Sequence, residues 1–375
     1  MAAVQAESAG ISTLLVVVSG DVAYSGKKQQ YRVASIFIDH LMAELRGIPG
    51  IQVLGPVLIP GNHDCNFESE GDVRPQLLGS LASRLETLDL DGQTVQQITQ
   101  VQDEFFSFEK IYSTQDRQRR ERLHYSHLFT IGNEKVVVHC INSAWVSRLK
   151  EQVGQLVFPA HFPINHGSEL PSLVITVFHH PYPWLEVTNR REFRKLVESF
   201  SDIVLTGHEH DGDAYVRDSS MEEHVHYVEG AALQAAGVET GFNLIVVDTI
   251  ERGYEVYRFL KTGRLYRSGS AKKTSFARNP SLLKQYFENR PEFKLTLRHL
   301  GGTFSHPVKK ILEIDDVFVY PDLRTRGLLD KTDKLVSSQN VLDYVASQRF
   351  INVSGAPMSG KTTLGKKLYL DLQEP

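Results

Sequence analysis

Strand-length apolar runs, each closed by a polar turn, recur along residues 1–268 and are interrupted by segments of helical period. The stretch Ala2 to Ala9 reads as the last turns of a helix, which Gly10 ends before a β-rich run from Thr13 to Ser19. On this reading the chain opens partway into a domain. After Gly26, the positions Val33, Phe37 and Leu41, with Ile36 and Leu45 beside them, fall at helical spacing and predict a helix. A second strand, Val53 to Ile59, runs into Pro60-Gly61-Asn62-His63-Asp64. Polar residues are thereby set at a strand's C-terminal end, where α/β sheets keep their sites. From Asn66 to Leu123 the pattern turns polar and helical, which predicts an insertion packed over the sheet as a cap and anchored by Phe105, Phe106 and Phe108. β-rich runs then recur at Leu128 to Ile131, Lys135 to Ile141, Leu173 to Phe178, Ile203 to Thr206, His224 to Val228, Asn243 to Val247 and Tyr254 to Phe259. Many strands with interspersed helices predict an α/β fold of two sheets stacked between helical layers, a four-layer α-β-β-α sandwich. Ser270 to Pro307 is polar, basic and broken by Pro280, Pro291 and Pro307, as a linker or small connecting module would be. One more strand, Arg349 to Val353, opens a glycine-rich loop and a closing helix.

Composition narrows the function classes. With 375 residues, 41% of them hydrophobic and 23% charged, the chain can bury one large core or two smaller ones. A net charge of -4 and a pI near 6.4 supply no overall basic field for nucleic acid, so that partner has only a local patch to rest on. The two cysteines, Cys65 and Cys140, cannot build a disulfide framework. Apolar runs such as Leu14 to Val18 are too short for a membrane, and no secretory segment opens the chain. The expected location is the cytoplasm, with no membrane partner.

Four short motifs stand where predicted strands end: Gly20-Asp21, Gly61-Asn62-His63-Asp64, His179-His180-Pro181 and Gly207-His208-Glu209-His210. Two divalent ions about 3.5–4 Å apart can generate a hydroxide, clamp a phosphoryl oxygen and stabilise the leaving oxygen of an in-line displacement. Such a pair needs a bridging carboxylate and several neutral nitrogens or carbonyl oxygens, donors that suit Mn, Fe or Zn better than Mg or Ca.

The order and spacing of these motifs resemble the calcineurin-like metallophosphoesterase family, over roughly residues 1 to 260. The resemblance implies a hydrolase of phosphomonoesters or phosphodiesters acting through a metal-bridging hydroxide, with a phosphorylated small molecule or nucleotide as substrate. It implies that Asp21 bridges both metals, that Asn62, His179 and His208 complete the shell of the second, and that His210 ligates the first. His179 is preferred to His180 because the family pattern is His-x-Pro. His63 resembles the catalytic histidine that meets the leaving group, and Asp64 is expected to orient its ring. One departure stands beside the match. Family members carry Asp-x-His at the end of the first strand, whereas residues 1–19 hold neither histidine nor aspartate. The expectation is a chain that has lost its first strand and, as it stands, hydrolyses poorly. The alternative is a catalytically degenerate fold used for binding or assembly.

Gly355-Ala356-Pro357-Met358-Ser359-Gly360-Lys361-Thr362 matches G-x-x-x-x-G-K-[ST], a loop whose backbone N–H groups cradle phosphates while the lysine reaches them and Thr362 holds Mg. Gly355, Gly360, Lys361 and Thr362 are therefore the candidate residues for ATP or GTP with Mg. A phosphoesterase followed by such a loop resembles multidomain bacterial proteins in which the phosphoesterase is the effector of a signal-transduction NTPase, and Ile314 to Leu323 looks like their connecting piece. The expected division is 1–268 phosphoesterase, 269–348 linker or connecting module and 349–375 the beginning of a P-loop NTPase domain, through whose remainder an oligomer could form. The arginines of Arg117 to Arg122 read as a solvated helix face. Arg190, Arg191, Arg194 and Lys195 read the same way, with a second possibility of drawing in a phosphorylated substrate.

Overall fold

The computed structural model describes residues 10–113, 122–162, 164, 170–209, 214–218, 224–233, 240–263, 265–269, 273–275, 291–300, 306–325, 334–346 and 351–373. The chain forms two compact units, Met1–Tyr286 and Phe287–Pro375. No helix among the described residues is long and apolar enough to cross a membrane.

The first unit is mixed α/β. Strand β1 (Thr13–Val18) runs parallel to β2 (Gln52–Leu58), and α1 (Lys28–Arg46) connects them. The buried stripe of α1 is Tyr31, Ile38, Met42 and Leu45, whereas Val33, Ile36 and Phe37 face solvent. Both stripes have helical spacing, so periodicity alone cannot choose between them. The phase is set by packing: Tyr31 contacts Phe105 and Phe108, and its hydroxyl donates to Asp64. The insertion supplies α2 (Val73–Ser80), α3 (Gln93–Ile98) and α4 (Asp103–Tyr112). It packs into two cores: Val95 and Ile98 join a cluster with Ile141, Phe178 and Val204 of the larger sheet, and Phe105 and Phe108 join another with Tyr31 and Leu58.

Six strands form the larger sheet: β3 (His124–Ile131), β4 (Glu134–Ile141), β5 (Leu173–Phe178), β6 (Ile203–Thr206), β7 (Ala214–Asp218) and β8 (His224–Glu229), in the order β3-β4-β5-β6-β8-β7. Its inner strands β4, β5, β6 and β8 are parallel, and the hairpin partners β3 and β7 close the edges antiparallel. Helix α5 (Val187–Glu198) crosses from β5 to β6. Phe193 and Val197 of that helix pack with Phe178, Val204 and Tyr227 of the sheet. Val138, Cys140 and Val177 pack instead with Val57 and Ile59, and with Tyr254. That tyrosine lies on β10 (Gly253–Thr262), which pairs with β9 (Gly241–Asp248), β11 (Leu265–Ser268) and β12 (Lys273–Ser275). Three strands of this unit, β7, β11 and β12, are additions to the pattern read from the sequence.

The second unit holds α6 (Pro291–Arg298), α7 (Ile314–Val317), the hairpin β13 (Leu323–Thr325) and β14 (Lys334–Val336), α8 (Val341–Ala346) and α9 (Lys361–Gln373). Pro291, expected as a breaker, opens α6, a position where its missing N–H costs nothing. The strand expected at Arg349 to Val353 differs in the structure: 349 and 350 lie outside the described residues, and Ile351, Asn352 and Val353 are exposed and belong to no strand. A strand needs a ladder partner, and these three have none among the described residues.

Phe105 is fully buried between α1 and β2 and serves as the test of this packing. Phe105→Ala is expected to lower the stability of the first unit by about 3–5 kcal/mol, measured as a reduced urea midpoint at unchanged slope.

Candidate metal centre

Three glycine turns bring the candidate residues together. β1, β2 and β6 each end within three residues of a glycine, at Gly20, Gly61 and Gly207, and His179 follows β5 directly. A Cβ on Gly20 would overlap the His179 ring, one on Gly61 would overlap the Asp21 carboxylate, and one on Gly207 would press on the Ser19 carbonyl. The strand ends close on one another only because all three positions lack a side chain. Asp21 (φ 54) and His208 (φ 74) also hold the left-handed conformation that residues other than glycine rarely adopt.

Four acceptor atoms converge there. His179 Nε2 lies 3.1 Å from Asn62 Oδ1, 3.2 Å from His208 Nδ1 and 3.3 Å from Asp21 Oδ2, and His208 Nδ1 lies 3.1 Å from Asn62 Oδ1. His179 Nδ1 faces the Ser19 carbonyl at 2.7 Å, so Nδ1 carries the proton and the neutral ring turns a bare Nε2 to the cluster. Lone pairs facing one another at these distances repel unless a cation lies among them. The separations also match those of neighbouring donors on one ion with bonds of about 2.0–2.2 Å. The donor set therefore fits a divalent transition ion.

The protonation states agree with that fit. Burial alone would raise Asp21, but the charge of His179 and hydrogen bonds from its ring and from the His63 N–H hold the carboxyl well below its usual range. Burial and the charges of His180 and His179 drive His208 down to about 3, leaving it neutral. Burial works to lower His179 too, yet the Asp21 carboxylate outweighs it and raises this group, so a metal ion and a proton compete for the same nitrogen.

Asp64 does not take the part expected of it. Its Oδ1 accepts from Ala23 N–H at 2.9 Å and the Tyr31 hydroxyl at 2.9 Å, and its Oδ2 accepts from Gly61 N–H at 2.9 Å and Val22 N–H at 3.2 Å. These four donors leave nothing for the His63 ring. His63 is instead held by the Tyr24 carbonyl, which accepts from Nδ1 at 2.8 Å, while its backbone N–H donates to Asp21 Oδ1 at 3.0 Å. Its Nε2 is thereby left to face solvent.

Sequence reasoning missed Glu151, a buried carboxylate 3.2 Å from His180 Nε2. His180 Nδ1 meets Ser143 Oγ at 3.1 Å, so both ring nitrogens are engaged and His180 packs against His208 as a neighbour rather than a ligand. No motif marks Glu151, and only its burial and its partner single it out. Trp184 stands against His208 with ring centres 4.2 Å apart and donates from Nε1 to Glu209 at 2.7 Å. His210 lies outside the described residues, as does most of Arg117 to Arg122. Arg191 and Lys195 are on the exposed face of α5, and Arg194 lies over the Tyr182 ring at 4.6 Å. In the second unit Lys361 opens α9, and its Nζ donates to the carbonyls of Gly355 at 3.0 Å and Ala356 at 2.7 Å.

A sequence model described as calcineurin-like phosphoesterase matches residues 8–212. No curated protein matches the chain. Among solved structures, it is similar to a dimetal phosphatase from Danio rerio at 14% identity, over 70% of this chain and 84% of that one, with a TM-score of 0.31. It is similar to a single mutant of Vps29 from Entamoeba histolytica at 11% identity, over 71% and 99%, with a TM-score of 0.26. A likeness to Vps29 from Chaetomium thermophilum has 10% identity, coverage of 72% and 82%, and a TM-score of 0.26.

The glycine turns give a test that leaves every candidate ligand in place. Manganese loading is expected to give about one ion per chain by elemental analysis. Gly61→Ala should lower the affinity for manganese by about 10–100-fold with the circular dichroism spectrum preserved. Undiminished affinity would mean that Asp21 is not among the ligands.

Proposed function

The chain belongs to the calcineurin-like phosphoesterase family, and we propose that it is a metal-dependent phosphoesterase acting on phosphomonoesters or phosphodiesters at Asp21, Asn62, His179 and His208. The convergence of four acceptor atoms beside an exposed histidine carries this reading. Divalent ions such as Mn, Fe or Zn would supply Lewis acidity toward a phosphoryl oxygen and a water that ionises near neutral pH. Asp21 offers Oδ2 to the cluster while Oδ1 holds the His63 backbone, so ligand and acid stay in one frame. With Nδ1 kept on the Tyr24 carbonyl, a protonated His63 donates from Nε2. As the water oxygen bonds to phosphorus and the P–O bond to the leaving group breaks, that proton goes to the departing oxygen. Residues 1–20 add no aspartate or histidine, so in this sequence a second ion would rest on Asp21 and His210.

The wider reading keeps residues 1–268 as the phosphoesterase in the four-layer arrangement, 269–348 as the connecting part and 349–375 as the start of a P-loop NTPase domain that regulates it in the cytoplasm. Lys361 supports this, since its Nζ already reaches the loop where phosphates would lie. Lys361→Ala should abolish whatever binding of Mg-ATP or Mg-GTP the chain shows in equilibrium dialysis and leave its manganese content unchanged.

His63→Ala is the test of the hydrolytic reading. In the manganese-loaded chain it should keep the metal and lose roughly 10²–10⁴-fold in rate on an alkyl phosphodiester. The loss should shrink for a nitrophenyl ester, whose leaving group needs little help. His208→Ala should lose metal and activity together. If His63→Ala empties the site, His63 is a ligand. A loaded chain that binds inorganic phosphate and hydrolyses nothing would favour the binding or assembly role.

A further inference from the structure

Two aromatic side chains stand at the candidate centre, and they are held in different ways. The Trp184 ring is committed: it packs edge-on against His208 and is tied through Nε1 to Glu209. Tyr24 is not. Its ring is 79% exposed and stacks on the His63 ring, with centres 5.5 Å apart and planes 25° from parallel, which leaves its other face open to solvent.

An exposed aromatic ring is unremarked when it sits on a mobile arm, but this one sits on a fastened loop. Asp64 accepts from Val22 and Ala23 on one side of Tyr24, and Gln30 Oε1 accepts from Ser25 N–H at 3.0 Å and Lys27 N–H at 3.2 Å on the other. Gly26, at φ +62, lies so close to the backbone of Asp64, Cys65 and Asn66 that a Cβ would not fit. The backbone that presents the ring is thus fixed against the turn that carries His63. Because Tyr24 both gives its carbonyl to His63 Nδ1 and lays its ring on the imidazole, an exposed aromatic ring stands directly beside the histidine proposed to protonate the leaving group.

We propose that Tyr24 is a specificity-determining residue that stacks on a flat aromatic leaving group, aryl or nucleoside, carried by a phosphodiester at the metal centre. The inference rests on the phosphoesterase reading above and names its substrate class. Stacking of this kind is tolerant of which ring is presented, since every aromatic ring offers a π-face. It also needs no hydrogen bond to the Tyr24 hydroxyl.

The test compares two diesters of equal charge, diphenyl phosphate and diethyl phosphate, with inorganic phosphate as the reference ligand, each titrated calorimetrically into the manganese-loaded chain. The unsubstituted protein should bind diphenyl phosphate about tenfold more tightly than diethyl phosphate. Tyr24→Ala should remove most of that preference and leave diethyl phosphate and inorganic phosphate unchanged. Tyr24→Phe should keep it, and Tyr24→Leu, apolar but without a π-face, should keep only a small part. The proposal is overturned if Tyr24→Ala retains the preference, or if it weakens all three ligands alike, which would make Tyr24 a support for the loop alone. Failure of inorganic phosphate to bind in a manganese-dependent way would bring down the phosphoesterase reading and this inference with it. Phosphate binding without an aromatic preference would overturn the inference alone.

Discussion

One buried carboxylate holds the candidate centre together. Asp64 has no exposed surface, and removing an ion from water costs several kcal/mol. Four donors offset that cost, and they come from three places in the chain: the turn after β1, the turn after β2 and helix α1. Hydrogen bonds to a charged group contribute about 1.5–3 kcal/mol each, so the set is strong enough to fix the turns relative to one another. Burial, with the nearby charge of Asp21, still lifts the carboxyl to about 6 against the lowering from its donors. Without Asp64 the turns carrying Asp21 and His63 would keep the His63 N–H on Asp21 Oδ1 but lose the anchor they share with α1.

The same closeness explains why the centre favours a cation. The turns can approach because Gly20, Gly61 and Gly207 have no side chains, and the approach sets Asp21 near Asp64 and four acceptor atoms within a few ångströms of one another. Glu151, whose burial would raise it, is instead lowered by the hydrogen bond and charge of His180, adding a third carboxylate to the neighbourhood. Burial also pushes His180 and His208 toward their neutral forms. Carboxylates around imidazoles held toward neutrality leave negative charge to be balanced, and the Asp21 carboxylate raises His179 in response. Any divalent ion that binds would supply the balancing charge and stabilise the folded state by its binding.

The strands that were legible are short apolar runs stopped by a turn, and the strand-end motifs were legible because glycine followed by Asp, Asn or His is a rare string at such a place. The phase of α1 was not. Val33, Ile36 and Phe37 and the buried set of Tyr31, Ile38 and Met42 repeat with the same period, and only a tertiary contact, the Tyr31 hydroxyl on Asp64, tells them apart. Asp64 itself was found for the wrong reason: adjacency to His63 suggested that it would hold that ring, yet adjacent side chains in a tight turn point apart, and the partner of His63 is a backbone carbonyl. Carbonyls leave no trace in a motif. Glu151 was invisible for a related reason, since it meets His180 only through the fold.

The candidate metal centre and the proposed phosphate loop differ in what a ligand would have to undo. At the candidate metal centre the side chains are already aimed, held by buried contacts that do not involve the ligand, so binding asks little rearrangement of them. In the second unit the loop from Gly355 to Gly360 is exposed, and Lys361 satisfies itself on the carbonyls of Gly355 and Ala356. An incoming phosphate would have to draw the ammonium off those two carbonyls and order a loop with few buried contacts, so part of its gross interaction would be spent on rearrangement. Preorganisation comes from burial, and burial follows the glycine turns of the first unit, where neighbouring strand ends enclose them. The strand expected ahead of the phosphate loop would give that loop the same enclosure, and Ile351 to Val353 stand exposed and unpaired among the described residues. A motif fixes which atoms are offered to a ligand; the surrounding strands decide how much must move before they are used.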